Sequence, residues 1–350
     1  MTVLEILPLC PTCALNYTTT EAVLSAGALL IAAATTVTNV AIILAIIFYP
    51  TLAHSRNFLI LSLSMANFLI GALVIPAIAV WALYSECWSW GHTKCILFVA
   101  VIDYLLSSVI AHMAAQSVER YLHVCRPEVY KLHRKTILLT LFLYCWIVPL
   151  ISNNFRRLTS EIFWHSHEGT QQNATQACAI FHQGHCACVV DCYTTFEIIY
   201  QVLLQFLLPV IMTIFCWVQL RRTWYKRFRY ARDAGERLGL HFILLLGFLL
   251  CYGPVIIKKV CNMFGLLDLN DAVRNSAWMQ ELIEKKQTGF EEYFHSPYNT
   301  MQRIIYFMAY AYGLVAPMLL VCCSQQFAVG FRSVFNAQWT KLCGCERRKC

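Results

Sequence analysis

The chain has 350 residues, of which 59% are hydrophobic and 13% are charged. Typical soluble domains are about 45–50% apolar and about 25% charged, so this composition argues against a soluble globular protein. The formal net charge of +8 does not indicate nucleic-acid binding, because the basic residues form neither one face nor one tail. The sequence therefore predicts a protein that folds within a lipid bilayer.

Seven apolar stretches are long enough to cross the hydrocarbon core as helices, which takes about 20 residues each. No soluble domain fits between them. The predicted fold is an all-α membrane protein, a seven-transmembrane helix bundle followed by a short membrane-surface eighth helix. In chain order, the predicted spans are 22–49, 57–84, 92–124, 135–155, 193–225, 234–263 and 301–323.

Positive charge sets the predicted orientation, because most of the 27 Lys and Arg residues fall at one end of the spans. The positive-inside rule assigns that end to the cytoplasm. Residues 1–21 are then extracellular, and 324–350 form the eighth helix and a cytoplasmic tail. Asn16 and Asn173, each in an Asn-X-Thr tripeptide on the outer side, are candidate glycosylation sites. We expect no cleavable signal peptide, because the N-terminus lacks a basic start and an apolar core.

Half of the 18 cysteines fall on the predicted outer side, where the secretory route favours disulfides. The pairing cannot be read from one sequence, and the odd number implies a free thiol or an intermolecular bond. Zinc bound by Cys186, Cys188 and Cys192 with His182 and His185 is the alternative, which an oxidising exterior disfavours. We therefore expect no metal site. The nine outer cysteines are Cys10, Cys13, Cys87, Cys95, Cys178, Cys186, Cys188, Cys192 and Cys261.

Two outer connections are long, about 156–192 and 264–300. In the second, Asn270 can cap an amphipathic helix over the outer mouth, the alternative being a disordered insertion. On the inner side, the basic ends of spans five and six predict contact with anionic membrane lipid. Cys343 and Cys345 follow an amphipathic stretch and are candidates for palmitoylation, the alternative being unmodified thiols.

Span three ends in Glu119-Arg120-Tyr121, followed by Pro127. Together with Cys95 at the start of the span, this resembles the rhodopsin-like (class A) G protein-coupled receptors, and distantly the biogenic-amine receptors. The resemblance covers nearly the whole chain. Further anchors in chain order are Asn39, Leu63-Ser-Met-Ala-Asn67, Trp88-Ser-Trp90-Gly91, Trp146, Pro209, Phe248, Cys251-Tyr252-Gly253-Pro254, Pro317, Phe327 and Phe331-Arg332.

The resemblance implies a receptor that transmits an extracellular ligand signal to heterotrimeric G proteins. It places G protein coupling at Glu119, Arg120, Tyr121 and Pro127. Acidic groups would hold Arg120 at rest, with Asp233 or Glu236 as a second restraint besides Glu119, until span six moves outward. A simply snorkelling Arg120 is the alternative. The resemblance also makes Cys95 a disulfide cysteine, with Cys188 one candidate among the outer-loop cysteines.

Asp103 is the acid in the outer half of span three, and an ionisable residue there is a candidate site by default. Amine receptors carry their aspartate one position earlier, where this chain has Ile102. Aromatic residues near an acid suit a cation, so a small amine is one candidate ligand, and a peptide or a lipid are others. We expect no cofactor and no enzymatic activity. The further candidate ligand contacts are Gln201, Gln205, Tyr252, Tyr306 and Tyr310.

Several switch residues of the family are replaced in this chain. Asn67 stands where the family has a sodium-binding aspartate, and Tyr252 stands for a tryptophan. Ala316 and Leu320 interrupt the Asn-Pro-x-x-Tyr motif of span seven, and Trp217 replaces a tyrosine of span five. These replacements favour a second hypothesis, a non-signalling receptor relative that acts as a scaffold, decoy or heteromer partner.

Overall fold

The computed structural model describes residues 19–50, 52, 57–83, 92–167, 181–182, 187–188, 201–227, 232–263 and 297–342. Within these ranges the chain is almost entirely helical. Its helices are α1 (Thr19–Phe48), α2 (Phe58–Leu69, Ile70–Val74 and Ile75–Leu83), α3 (His92–Cys125), α4 (Pro127–His167), α5 (Gln201–Leu207 and Leu208–Arg227), α6 (Arg232–Met263), α7 (Pro297–Cys323) and α8 (Gln325–Leu342). A short antiparallel pair, β1 (Phe181–His182) with β2 (Ala187–Cys188), lies between α4 and α5.

Six helices contain a segment long and apolar enough to cross a membrane within the described residues. In α6 the apolar segment is shorter, Phe242–Lys258, which at 1.5 Å per residue spans roughly 25 Å. The predicted all-α membrane fold is confirmed. The six longer segments are Ala22–Phe48, Phe58–Trp81, Ala100–Cys125, Pro127–Ser152, Val202–Thr223 and Ile304–Cys323.

Two helices widen locally just before a proline. Ile70–Val74 of α2 and Gln201–Leu207 of α5 are π-helical, and they precede Pro76 and Pro209. A proline lacks the N–H that would continue the helical ladder, and its ring crowds the carbonyl four residues earlier. A π turn relieves that crowding, and its extra residue rotates the side chains that follow around the helix axis.

Helix α4 is longer at both ends than the predicted span 135–155. It begins at Pro127 and runs to His167, so residues 156–167, which we assigned to an outer loop, are helical. Non-helical backbone angles at His133 (φ −114°, ψ 20°) separate a short first segment from the main span. Pro127 suits a first helical turn because its missing N–H is not needed there. Hydropathy missed both extensions because charged residues lower it, Glu128, Lys131 and Arg134 in the first and Arg156, Arg157 and Glu161 in the second.

Close packing of α1 positions the rest of the bundle. A Cβ atom at Gly71 of α2 would lie 2.9 Å from Thr35 Cγ2, and one at Gly313 of α7 would lie 3.0 Å from the same atom. Glycine therefore allows both helix backbones to approach α1, as is common at helix interfaces in membranes. At the other end of α1, a Cβ atom at Gly330 would lie 2.6 Å from Leu52 Cδ1. This contact holds α8 against the start of the connection to α2.

Candidate functional site

A chain of hydrogen bonds ties α2, α3 and α4 together in the middle of the bundle. Trp146 Nε1 donates to Ser62 Oγ (2.8 Å), and Ser62 Oγ lies 2.8 Å from His112 Nε2. His112 Nδ1 lies 2.7 Å from the carbonyl oxygen of Ser108, which can only accept. Nδ1 therefore carries the proton, and Nε2 accepts from the Ser62 hydroxyl. The fully buried His112 is thus held as one neutral tautomer.

The sequence identifies Trp146 as a family anchor but does not reveal its partners Ser62 and His112. The signal was present, because His112 is an ionisable residue inside an apolar span. Its ring also meets the Trp146 ring edge-on, with a distance of 5.6 Å between ring centroids. The network itself could not be read from the sequence, since its members come from three helices.

A second polar cluster lies between α1, α2 and α7. Asn39 Nδ2 donates to the carbonyl oxygens of Thr35 and Gly313, both at 2.8 Å, and so links α1 to α7. Asn67 is buried, and within the described residues neither its Oδ1 nor its Nδ2 has a hydrogen-bond partner. The same holds for Asn39 Oδ1 and Thr35 Oγ1. Buried polar atoms are usually paired, so this cluster has unused hydrogen-bonding capacity.

An aromatic layer joins α5, α6 and α7 beside these clusters. Tyr252 stacks on Phe248 with ring centroids 4.8 Å apart, and Phe248 stacks on Phe206 of α5 at 6.2 Å. Tyr312 of α7 meets both α6 rings edge-on, and its hydroxyl donates to Met113 Sδ of α3 (2.9 Å). The candidate ligand contact Tyr252 is buried within this layer. A bound ligand could therefore contact the layer as a whole, but it would find no exposed Tyr252 side chain.

Charged and aromatic side chains lie together at the end of the bundle where α3 and α7 begin and α6 ends, called the outer end below. Asp103 is half-buried, and its carboxylate is close enough to Tyr310 to interact with it electrostatically. Lys258 is buried, with its Nζ 5.1 Å from the centre of the Tyr306 ring. The structure brings together three of the predicted ligand contacts, Asp103, Tyr306 and Tyr310, and adds Lys258. A lysine in the last turns of an apolar span was the signal we missed.

Gln205, another predicted ligand contact, is bonded between the helices. Its Nε2 donates to Ser152 Oγ of α4 (2.9 Å), and its Oε1 accepts from the Ser107 hydroxyl of α3 (3.2 Å). Ser152 in turn donates to the carbonyl oxygen of Pro149 (3.1 Å). The structure thus places the Gln205 amide in the packing of α3, α4 and α5. The side chain of Gln201 lies outside the described residues.

At the inner end of α3, a carboxylate is shared by two donors. Glu119 is buried, and its Oε2 lies 3.4 Å from Arg120 Nε. Its Oε1 accepts from the Tyr130 hydroxyl of α4 at 2.6 Å. Among the described residues, Glu119 is the one acid that pairs with Arg120. The side chains of Asp233 and Glu236, the predicted second restraints, lie outside the described residues.

Aromatic rings join the inner ends of α5 and α6. Trp217 stacks on Phe242, with 5.0 Å between ring centroids, and the Arg221 guanidinium lies 5.5 Å from the centre of the Trp217 ring. Stacking and cation–π contacts of this kind are each worth about 0.5–1.5 kcal/mol. Tyr121 meets Phe215 of α5 at 6.2 Å. Trp217 occupies the position of the family tyrosine that would meet the released arginine. In this structure its ring lies against α6.

Several predicted features lie outside the described residues. These include the glycosylation candidates Asn16 and Asn173, the lipidation candidates Cys343 and Cys345, and the helix expected after Asn270. Cys95 lies in the first turn of α3 and Cys188 in β2. The side chains of both cysteines lie outside the described residues, so their disulfide stays a prediction. Pro127, the remaining coupling candidate, is the first residue of α4.

A bundle of membrane-crossing helices, with a paired arginine at the inner end of α3 and a charged aromatic cluster at the outer end, is the architecture of a membrane receptor. The family model of the 7 transmembrane receptor (rhodopsin family) matches residues 38–319, which is most of the chain. The chain therefore belongs to the rhodopsin family of seven-transmembrane receptors. It is a multi-pass membrane protein, and its family is one of receptors and not of enzymes.

Three relatives show which members of the family this chain resembles. Trace amine-associated receptor 1 of Mus musculus is 33% identical over 124 residues, 35% of this chain and 37% of that receptor. Trace amine-associated receptor 2 of Homo sapiens is 31% identical over 113 residues, 32% of each chain. Probable G-protein coupled receptor No9 of Amphibalanus amphitrite is 26% identical over 196 residues, 53% of this chain and 37% of that protein. The chain spans about one third of the length of these relatives, and it is related to the biogenic-amine receptors, as the sequence predicted.

Proposed function

We propose that the chain is a plasma-membrane receptor, with its N-terminus extracellular, that transmits a ligand signal to heterotrimeric G proteins. The observation that carries this proposal is the Glu119–Arg120 pair at the inner end of α3. A charged residue within a span is costly unless it is paired. Arg120 has its partner next to it in sequence, so it can leave the pair without disturbing the rest of α3.

The geometry around Glu119 favours release of Arg120. The Tyr130 hydroxyl bonds the same carboxylate at 2.6 Å, and the Arg120 contact is longer at 3.4 Å. When Arg120 turns away, Tyr130 still satisfies the buried carboxylate, which lowers the cost of the change. Outward movement of α6 would separate Trp217 from Phe242 and open the space beside Arg120. The exposed Arg221 of α5 would then face a G protein α subunit and anionic lipid.

On the outer side, the ligand would contact Asp103, Tyr306 and Tyr310. The names of the mammalian relatives associate those receptors with trace amines, which supports an ammonium group on the ligand of this chain. A carboxylate with aromatic rings nearby suits a cation. To act as an agonist, the ligand must bind the state with α6 displaced more tightly than the state described above.

Measurement of G protein dissociation in cells tests the proposal. Wild type and Arg120→Ala would be compared at matched surface levels, basally and with an amine panel, across all α-subunit families. Arg332→Ala is the matched control, because Arg332 is an exposed arginine of α8 away from the Glu119 carboxylate. We expect a signal in wild type and Arg332→Ala, and a loss of about tenfold or more in Arg120→Ala.

One observation favours a second candidate, a receptor relative that does not signal. The Trp217–Phe242 stack joins α5 to α6 where the family places a residue that receives the released arginine. A bundle held in this way would serve as a scaffold, decoy or heteromer partner. Equal, flat traces for wild type and Arg120→Ala across all α subunits would favour this candidate over the first.

A further inference from the structure

The outer end of the bundle carries a buried cation as well as an acid. Lys258 is the last residue of the apolar segment Phe242–Lys258, where a lysine commonly extends its amine toward the lipid headgroups. Here the residue is only 7% exposed, and its Nζ lies 5.1 Å from the centre of the Tyr306 ring. The amine is therefore directed into the bundle, toward α7. An inward ionisable group in a span is a candidate binding group.

Asp103 and Lys258 reach the same face of α7. The Asp103 carboxylate interacts electrostatically with Tyr310, and Lys258 lies over Tyr306. These tyrosines are four residues apart, so they share one helix face and differ in height by roughly 6 Å. The negative charge thus acts on the inner tyrosine, and the positive charge lies over the outer one.

The charges at this site limit which ligands fit it. A ligand with only an ammonium group would be attracted by Asp103 and repelled by Lys258. A ligand with only a carboxylate would be attracted by Lys258 and repelled by Asp103. A molecule that carries both groups complements both side chains. Asp103 and Lys258 have further contacts within the protein, so ligand groups of matching charge would join or replace those contacts.

The floor of this site is aromatic. The stacked rings of Tyr252, Phe248 and Phe206 lie just inward of Tyr310, and the face of an aromatic ligand ring packs well on such a layer. We propose that the outer site binds an aromatic amino acid, or a derivative that keeps both its charged groups, with the ammonium at Asp103 and the carboxylate at Lys258. This inference rests on the proposed receptor function and replaces a simple amine with a zwitterion as its ligand class.

Direct binding tests this proposal without relying on signalling. Thermal stabilisation of the purified full-length receptor would be titrated with phenylalanine, phenethylamine and 3-phenylpropionate. These probes share a phenyl ring, and they carry both charged groups, the ammonium alone and the carboxylate alone. We expect phenylalanine to bind wild type about tenfold or more tightly than either of the other two, because each contact with a charged group contributes at that level.

Two substitutions should change which of the three probes binds most tightly. Lys258→Gln removes the cation, so phenylalanine should bind at least tenfold more weakly and phenethylamine should bind as well or better. Asp103→Asn removes the acid, so 3-phenylpropionate should become the preferred probe. Lys258→Arg keeps the charge and should keep the wild-type order. The melting temperature without ligand shows that each variant is folded.

Three results would overturn the proposal: tighter binding of phenethylamine than phenylalanine to wild type, an unchanged order in Lys258→Gln, or no stabilisation by any probe at millimolar concentration. None of them would remove the proposed receptor function. G protein dissociation that depends on Arg120 is measured separately, and its loss with the wild-type probe order intact would instead indicate a ligand-binding protein that does not signal.

Discussion

The two polar clusters in the middle of the bundle differ in how far their hydrogen bonds are satisfied. Between α2, α3 and α4, Trp146, Ser62 and His112 form an unbroken chain of donors and acceptors. Between α1, α2 and α7, both polar atoms of Asn67 lack a partner within the described residues. A satisfied buried network is rigid and specific, and a partly satisfied one can gain from a new partner. The first cluster therefore fixes the helices, and the second links α1 to α7 but keeps polar atoms that a new partner could satisfy.

The largest effect is expected for His112→Leu. This change removes the acceptor for the Ser62 hydroxyl and the side-chain donor to the Ser108 carbonyl, in a fully buried position. We expect a loss of about 1–2 kcal/mol in stability, the upper range for hydrogen bonds between membrane helices. Thermal unfolding of the purified receptor measures it. An unchanged melting temperature would show that the satisfied cluster does not hold the helices together.

A comparable gain is expected when sodium is added to Asn67→Asp. The new carboxylate would lie near Thr35 Oγ1 and Asn39 Oδ1, which have no partner in the described part of the chain, and would add a negative charge to the cluster. At a sodium concentration ten times the Kd, binding adds about 1.4 kcal/mol of stability. Melting temperatures in sodium chloride and in choline chloride should differ for this variant and agree for wild type. Equal stabilisation of wild type by sodium would contradict this view of Asn67.

A smaller loss is expected for Trp146→Phe. The substitution removes the N–H that donates to Ser62 and keeps a ring against His112, so it separates the hydrogen bond from the ring contact. We expect a cost of about 0.6 kcal/mol, the average for such a bond between membrane helices. In the double variant with His112→Leu, the costs should be less than additive, since both residues act through Ser62. A cost above that of His112→Leu would mean that ring packing dominates.

The smallest effect is expected for Asn67→Leu. Leucine has the same number of side-chain heavy atoms and the same branching, and the change removes two buried polar atoms that are unpaired among the described residues. Replacing an unsatisfied buried group by an apolar one is close to neutral or stabilising. Melting temperatures of wild type and variant, measured side by side, should agree or favour the variant. A decrease as large as that for His112→Leu would place Asn67 among the satisfied residues and remove the difference between the clusters.

The overall fold was predictable because a bilayer permits few structures. Backbone groups in lipid must bond within their own segment, so an apolar stretch of sufficient length is a helix. The errors occurred where lipid no longer constrains the chain. Helix α4, for example, continues to His167, beyond the predicted end of span four at residue 155.

The candidate sites were predictable only where they are local in sequence. Glu119 and Arg120 are neighbours, so their pairing could be inferred, and the structure contains it. The contacts of Lys258 with Tyr306, and of Gln205 with Ser107 and Ser152, join residues from different helices. The rotation of each helix about its axis decides such contacts, and the π turn in α5 alters that rotation just at Gln205. Sequence periodicity alone does not determine it.

The two glycines that face Thr35 limit which amino-acid substitutions this protein would tolerate. Gly71 and Gly313 approach Thr35 from different helices, and a Cβ atom at either position would lie 2.9 or 3.0 Å from Thr35 Cγ2, so a larger side chain requires Thr35 to shift. Most coding changes at either glycine would push α1 away from a neighbour that is inserted after it. Such a change would act during assembly of the bundle in the membrane. The change would therefore lower the amount of folded protein in the membrane without altering the candidate site residues themselves.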